Sequence, residues 1–163
     1  MTHAARALAF VALCTLPAAA CRDDDDAAEQ AAAAPAAPAV EYLTPFGKPT
    51  RPFSPAVRVG DLILLSGQIG TDASASGALV AGGIEAETKQ TLENIKATLV
   101  AVGSSMDKVV KCTVMMADMK EWDRMNTVYR TYFAEGRLPA RSAFGANGLA
   151  LGARVEIECI ASR

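Results

Sequence analysis

Beyond its third residue the chain has no histidine, since His3 is the only one. Once a leader is removed, no imidazole remains for metal ligation or for a Ser–His or Cys–His catalytic pair. Basic excess is absent too. The formal net charge is −2, and losing residues 1–20, which carry Arg6 and no acid, makes it more negative. No general positive field argues for a nucleic-acid partner. No apolar run reaches the length of a transmembrane span without reading better as a leader. At 163 residues there is room for one domain of about 120 residues with a real core.

What is present begins with a leader-like front end. Arg6, helped by His3, gives a positive start, Ala7 to Leu16 a short apolar core, and Pro17-Ala18-Ala19-Ala20 small residues for cleavage. Cys21 follows at once. Ala18-Ala19-Ala20-Cys21 resembles a bacterial lipobox, with Ala18 where leucine is usual; ordinary secretory cleavage that leaves Cys21 free is the alternative. The expectation is an exported, periplasmic protein whose only membrane attachment is a lipid on Cys21. Residues 21–40, with Asp23-Asp24-Asp25-Asp26 and repeated alanines broken by Pro35 and Pro38, lack the large apolar side chains that offset ordering entropy. They read as a tether, and residues 41–163 as the domain.

Within the domain, Ala56-Val57-Arg58-Val59 and Leu62-Ile63-Leu64-Leu65 read as strands joined at Gly60-Asp61, with Glu41-Tyr42-Leu43 as a candidate strand before them. Apolar residues at Ile84, Leu92, Ile95, Leu99 and Val102 step at helical spacing, and Gly103 closes that helix. Lys108 to Ala117 is strand-like. Asp118 is read as the cap of a second helix, whose Met119, Trp122, Met125, Val128, Tyr129, Tyr132 and Phe133 form a core stripe. Cys112 and Cys159 sit among apolar neighbours and are read first as two buried small hydrophobes, with a disulfide as the alternative that an exported protein would permit and that sequence alone does not decide. The order, β-β-α-β-α-β-β after the first strand, suits an α+β domain with two helices on one face of a sheet. An apolar second face would need a partner subunit.

The last two strands carry the chemistry. Pro139 biases Leu138 toward extended geometry, so the chain enters Arg141-Ser142-Ala143-Phe144 as a strand. From Val155 to Ile160 the period is two, with Glu156 and Glu158 on one side. A strand-held guanidinium forks onto a carboxylate, and a glutamate on a neighbouring strand could handle a proton beside it. An interstrand Arg–Glu salt bridge is the competing reading, and the spacing does not separate the two. Glu158 is assigned to a structural salt bridge with Arg154 or Arg163.

Six stretches stand in the order and spacing of a known family: Pro52-Phe53-Ser54-Pro55-Ala56-Val57, Leu65-Ser66-Gly67-Gln68-Ile69, Thr91-Leu92-Glu93-Asn94-Ile95, Asn126-Thr127-Val128-Tyr129, Pro139-Ala140-Arg141-Ser142 and Gly152-Ala153-Arg154-Val155-Glu156-Ile157-Glu158. From about Pro52 onward the chain resembles the Rid/YjgF family of reactive intermediate deaminases, the endoribonuclease L-PSP group in older naming. The resemblance implies a chorismate-mutase-like α+β fold in a homotrimer with clefts between subunits. It also implies hydrolysis of reactive 2-imino acids to 2-keto acids and ammonia, of the 2-iminobutanoate/2-iminopropanoate deaminase type, with no metal or organic cofactor.

Carried over residue by residue, the carboxylate-gripping arginine is Arg141 and the water-orienting glutamate Glu156. Substrate contacts fall on Ser66, Gly67 and the helix-borne Asn126, and on Ala143, where cysteine is common and the backbone carbonyl would serve. Taken alone, Ser66 caps a strand end. Where deaminase members usually have tyrosine the chain has Phe53, which keeps the ring and loses the hydroxyl. One lost hydrogen bond to a charged group costs about 1.5–3 kcal/mol, or roughly ten- to a hundredfold. The rival reading is a module that binds a small keto or imino acid in the same cleft without turnover. A ribonuclease is disfavoured by the acidic chain and the missing histidine.

Overall fold

The structure, a computed structural model, describes Ala37–Arg163 apart from positions 73, 75 and 76. The expected signal, Cys21 and most of the tether lie outside the described residues. Seven strands form one sheet: β1 (Val40–Leu43), β2 (Ala56–Val59), β3 (Leu62–Leu65), β4 (Gln68–Ile69), β5 (Val109–Met116), β6 (Ala140–Gly145) and β7 (Val155–Ser162). The order is β1-β2-β3-β7-β5-β6, with β4 also paired to β7. Only β5 and β6 are parallel, which requires a crossover, and α2 (Trp122–Tyr129) supplies it. The other long helix, α1 (Gly83–Ala101), runs between β4 and β5.

Burial alternates along β7, where Val155, Ile157, Cys159 and Ala161 are buried and Glu156, Glu158 and Ile160 are not. The buried set packs with Ile84, Leu92, Ile95 and Leu99 of α1 and with Met125 and Tyr129 of α2. Both helices thus cover one face, as expected for the α+β class. The other face carries a row set by the strand register: Tyr42, Val57, Leu64, Ile160 and Lys111. Tyr42, Leu62, Leu64 and Phe144 stay exposed there.

Several expectations change in detail. Asp118 accepts the Lys120 N–H but caps a short 3-10 turn, Met119–Glu121, ahead of α2. β4 was not foreseen, because two residues are too few to show a period. The reading of Cys112 and Cys159 as unlinked is overturned. They face each other in register across β5 and β7, with Cα atoms 4.1 Å apart, and form a disulfide. Both sit in strand-like, apolar stretches, so each residue was placed correctly, but their register depends on how three strands assemble.

Candidate active site

Arg141 lies on β6, an edge strand, opposite Cys112 of β5, and so points to the helix-covered face. There it meets α2. Trp122, Asn126 and Tyr129 recur at spacings of four and three, which puts them on one side of that helix. Arg141 Nη1 donates to Asn126 Oδ1 at 2.7 Å. Its guanidinium carbon stands 4.9 Å from the centre of the Trp122 ring and 4.6 Å from that of Tyr129. Among the described residues no carboxylate pairs with Arg141. The same residue opens onto a cleft of about 680 Å³ lined also by Asn126, Tyr129, Phe133, Leu138 and Pro139. Ala143 shares Arg141's face one pleat further on and packs against the core.

Glu156 belongs to a separate group. It sits opposite Met115 of β5, and Met115 points away from Cys112's face. Arg141 and Glu156 therefore lie on opposite faces of the sheet, with β5 between their strands. The expected pairing on neighbouring strands does not occur, and the salt-bridge alternative between these two strands falls with it. Sequence neighbours are most often sheet neighbours, and here the chain steps over β5 between β6 and β7.

Glu156 lies against Gly67, the neighbour of Ser66. A Cβ on Gly67 would stand 2.1 Å from Glu156 Oε1, so the carboxylate rests in the space that this glycine leaves. Ser66 donates from Oγ to the Ser54 carbonyl at 2.7 Å and from its N–H to the Pro55 carbonyl at 3.0 Å. Those bonds tie the Phe53-Ser54-Pro55 segment to the end of β3. From the other side α1 holds the strand ends in place. Asn94 Nδ2 donates to the Ile69 and Thr71 carbonyls, and the buried Glu87 accepts the Arg154 N–H at 2.8 Å, just before β7.

Burial pushes the Glu156 carboxyl above the usual carboxylate range, and the neighbouring Glu158 charge adds to it. Among the described residues Glu156 forms no side-chain hydrogen bond. The ion pair assigned to Glu158 is also absent among the described residues. Arg154 instead binds Glu121, the last residue of the 3-10 turn before α2, at 2.6 Å, whereas Glu158 is exposed on the opposite side of β7 from the buried residues.

The expected site residues thus fall into two groups, Arg141 with Asn126 and Ala143, and Glu156 with Gly67 and its neighbour Ser66, while Phe53 is exposed and is linked to the second group only through the Ser66 bonds to Ser54 and Pro55. Two residues were read only as core. Trp122 and Tyr129 touch the guanidinium, and the signal for it was Asn126, a polar residue inside an otherwise aromatic stripe.

The model of the endoribonuclease L-PSP family matches residues 45–163. The chain belongs to this family, also called Rid/YjgF. The L-PSP match covers every element above except β1. Among similar proteins, a mouse 2-iminobutanoate/2-iminopropanoate deaminase is 49% identical over 68% of this chain and 80% of its own length. The chloroplastic Reactive Intermediate Deaminase A of Arabidopsis thaliana is 38% identical over 68% of this chain and 58% of its own. The crystal structure of the YjgF gene product of E. coli superposes with a TM-score of 0.66 at 31% identity, covering 75% of this chain and 97% of that one.

These relatives correct the expected location. One is chloroplastic by name and another comes from mouse, whose cells have no periplasm. The exported, periplasmic reading of this L-PSP chain is not upheld.

Proposed function

We propose that the protein hydrolyses small 2-imino acids to 2-keto acids and ammonia, in a cleft completed by a second copy of the chain in a homotrimer. The observation that carries this reading is Arg141, a guanidinium open to a cleft and paired with no carboxylate among the described residues. A free fork in that setting is suited to a substrate carboxylate. The deaminase names of similar proteins give the reaction class.

Because Arg141 and Glu156 lie on opposite faces, one chain cannot bring both to a single substrate. The uncovered sheet face, with Tyr42, Leu62, Leu64 and Phe144 exposed, is apolar enough to seat another subunit. In the assembled cleft, Arg141 of one copy fixes the substrate carboxylate and so holds the imine carbon near a water, a gain of positioning. Glu156 of the other takes a proton as that water attacks the carbon. Glu156 returns that proton to the imine nitrogen, giving a neutral carbinolamine. The carbinolamine hydroxyl then yields its own proton to the nitrogen by way of Glu156, and the C–N bond breaks as the carbonyl forms and ammonia leaves. Phe53 would pack its ring on the substrate without a hydroxyl to offer. That missing hydroxyl is what favours the second reading, a carboxylate-binding module without turnover.

Two experiments test the proposal. With an amino-acid oxidase generating imines, wild-type protein should speed their loss, and Arg141→Ala should abolish the gain by a factor of about 10²–10⁴, the value of two hydrogen bonds to a charged group. A wild-type protein that gives no acceleration yet binds 2-keto acids leaves the binding module as the better account. In the second experiment, Arg141→Ala and Glu156→Gln chains are unfolded together and refolded as mixed trimers. If the two residues come from different copies, about a quarter of the sites regain both groups. Mixtures as inactive as either parent would sink the two-chain site.

A further inference from the structure

The grip on Arg141 exceeds what one hydrogen bond needs. Two aromatic faces stand within 5 Å of its guanidinium carbon, and a planar, delocalised cation lies flat on such faces, which an ammonium, though also attracted to them, cannot do. The backbone alone does not fix this residue, since β6 is an edge strand hydrogen-bonded only to β5.

We propose that Trp122 and Tyr129 are positioning residues of this site: their rings form a cradle that presents the remaining N–H edge of Arg141 to a substrate carboxylate. What is bound there rests on the deaminase reading; the cradle itself rests on the geometry. Tyr129 is buried and braced by the Phe133 ring, whose centre is 4.9 Å from its own. Trp122 packs against the core cluster. Neither ring can swing away without disturbing packing, so the guanidinium is held before a ligand arrives. Burial also keeps the Tyr129 phenol neutral, pushed up to about 12 with Arg141 pulling the other way. The cradle therefore holds the cation without competing for its charge. Such a device acts on binding of the carboxylate more than on the proton transfers, which belong to Glu156.

The test uses the full chain and two readouts, imine hydrolysis and calorimetric binding of 2-ketobutanoate. Trp122→Leu should raise both KM and the keto-acid Kd about tenfold while kcat changes less than about threefold, and Trp122→Phe should restore most of the affinity. In an Arg141→Lys background, Trp122→Leu should change Kd less than about twofold, because the stacked partner is gone. Trp122→Met replaces the leucine variant if that chain fails to fold. A lowered Tm with unchanged Kd, or an equal loss in the Arg141→Lys background, overturns the cradle while leaving the deaminase standing. Wild-type protein that binds 2-ketobutanoate and shows the cradle effect, yet hydrolyses no imine, overturns the deaminase and keeps the cradle. Wild-type protein that binds no keto acid overturns both.

Discussion

The surroundings of Arg141 and of Glu156 differ in kind. Arg141 is held by its own chain through one hydrogen bond and two ring faces. Glu156 has no side-chain bond among the described residues and is placed by a void, the missing Cβ of Gly67. A binding group that must keep one orientation is built into a packed layer. In the proposed reaction Glu156 is a proton carrier that changes charge and partner, and it is left room. Each half makes chemical sense only when it faces the other, which is why the second subunit enters the proposal.

The largest break in that comparison comes from filling the void. Gly67→Ala puts a methyl where the Glu156 carboxylate rests, with its Cγ and Cδ also within 3.2 Å. A side chain can swing aside, so the fold should survive while activity falls by about 10²-fold, the usual price of misplacing a reacting group by an ångström. Gly70→Ala is the control. There the added carbon meets the Glu87 backbone, 2.8 Å from its Cα, so thermal stability should fall because backbone cannot step away. Equal losses of Tm in both variants would show that Gly67 serves packing only.

A smaller change sharpens the Glu156 side in the opposite direction. Phe53 is exposed beside the segment that Ser66 ties down. Phe53→Tyr adds the hydroxyl usual in deaminases of this family, and kcat/KM should rise by roughly ten- to a hundredfold if that hydroxyl reaches the substrate. An unchanged value would mean that the ring points elsewhere in the assembled cleft.

The elements were legible in the chain, and their mutual placement much less so. The α1 stripe from Ile84 to Leu99 and the two-residue period of β7 each lie within one segment, where spacing reports which side is buried. The separation of Arg141 from Glu156, the Cys112–Cys159 disulfide and the Arg154–Glu121 pair all depend on β7 entering between β3 and β5. No local period encodes that step. The residues proposed for the two halves stand out in the sequence because each lies in a motif. The ring cradle does not, because aromatic residues at helical spacing serve a core equally well.

The smallest effect concerns pH. Burial is the larger cause of the raised Glu156 carboxyl and the Glu158 charge the lesser one. As the base of the proposed reaction, Glu156 would work deprotonated, so the acid limb of kcat/KM should lie above the ordinary carboxylate range. Glu158→Gln removes only the lesser cause, so the limb should move toward acid without reaching an ordinary value. Stability should respond with the matching sign. A carboxyl whose folded pKa is raised favours the fold when protonated; that contribution is present below its unfolded pKa and is lost as pH rises through the folded one. With Glu158 neutral the loss is smaller, so the Tm of Glu158→Gln should gain on wild type between acidic and neutral pH. An acid limb that stays put in this variant would mean that the Glu158 charge does not reach Glu156 in the assembled cleft, and that burial alone sets its proton affinity.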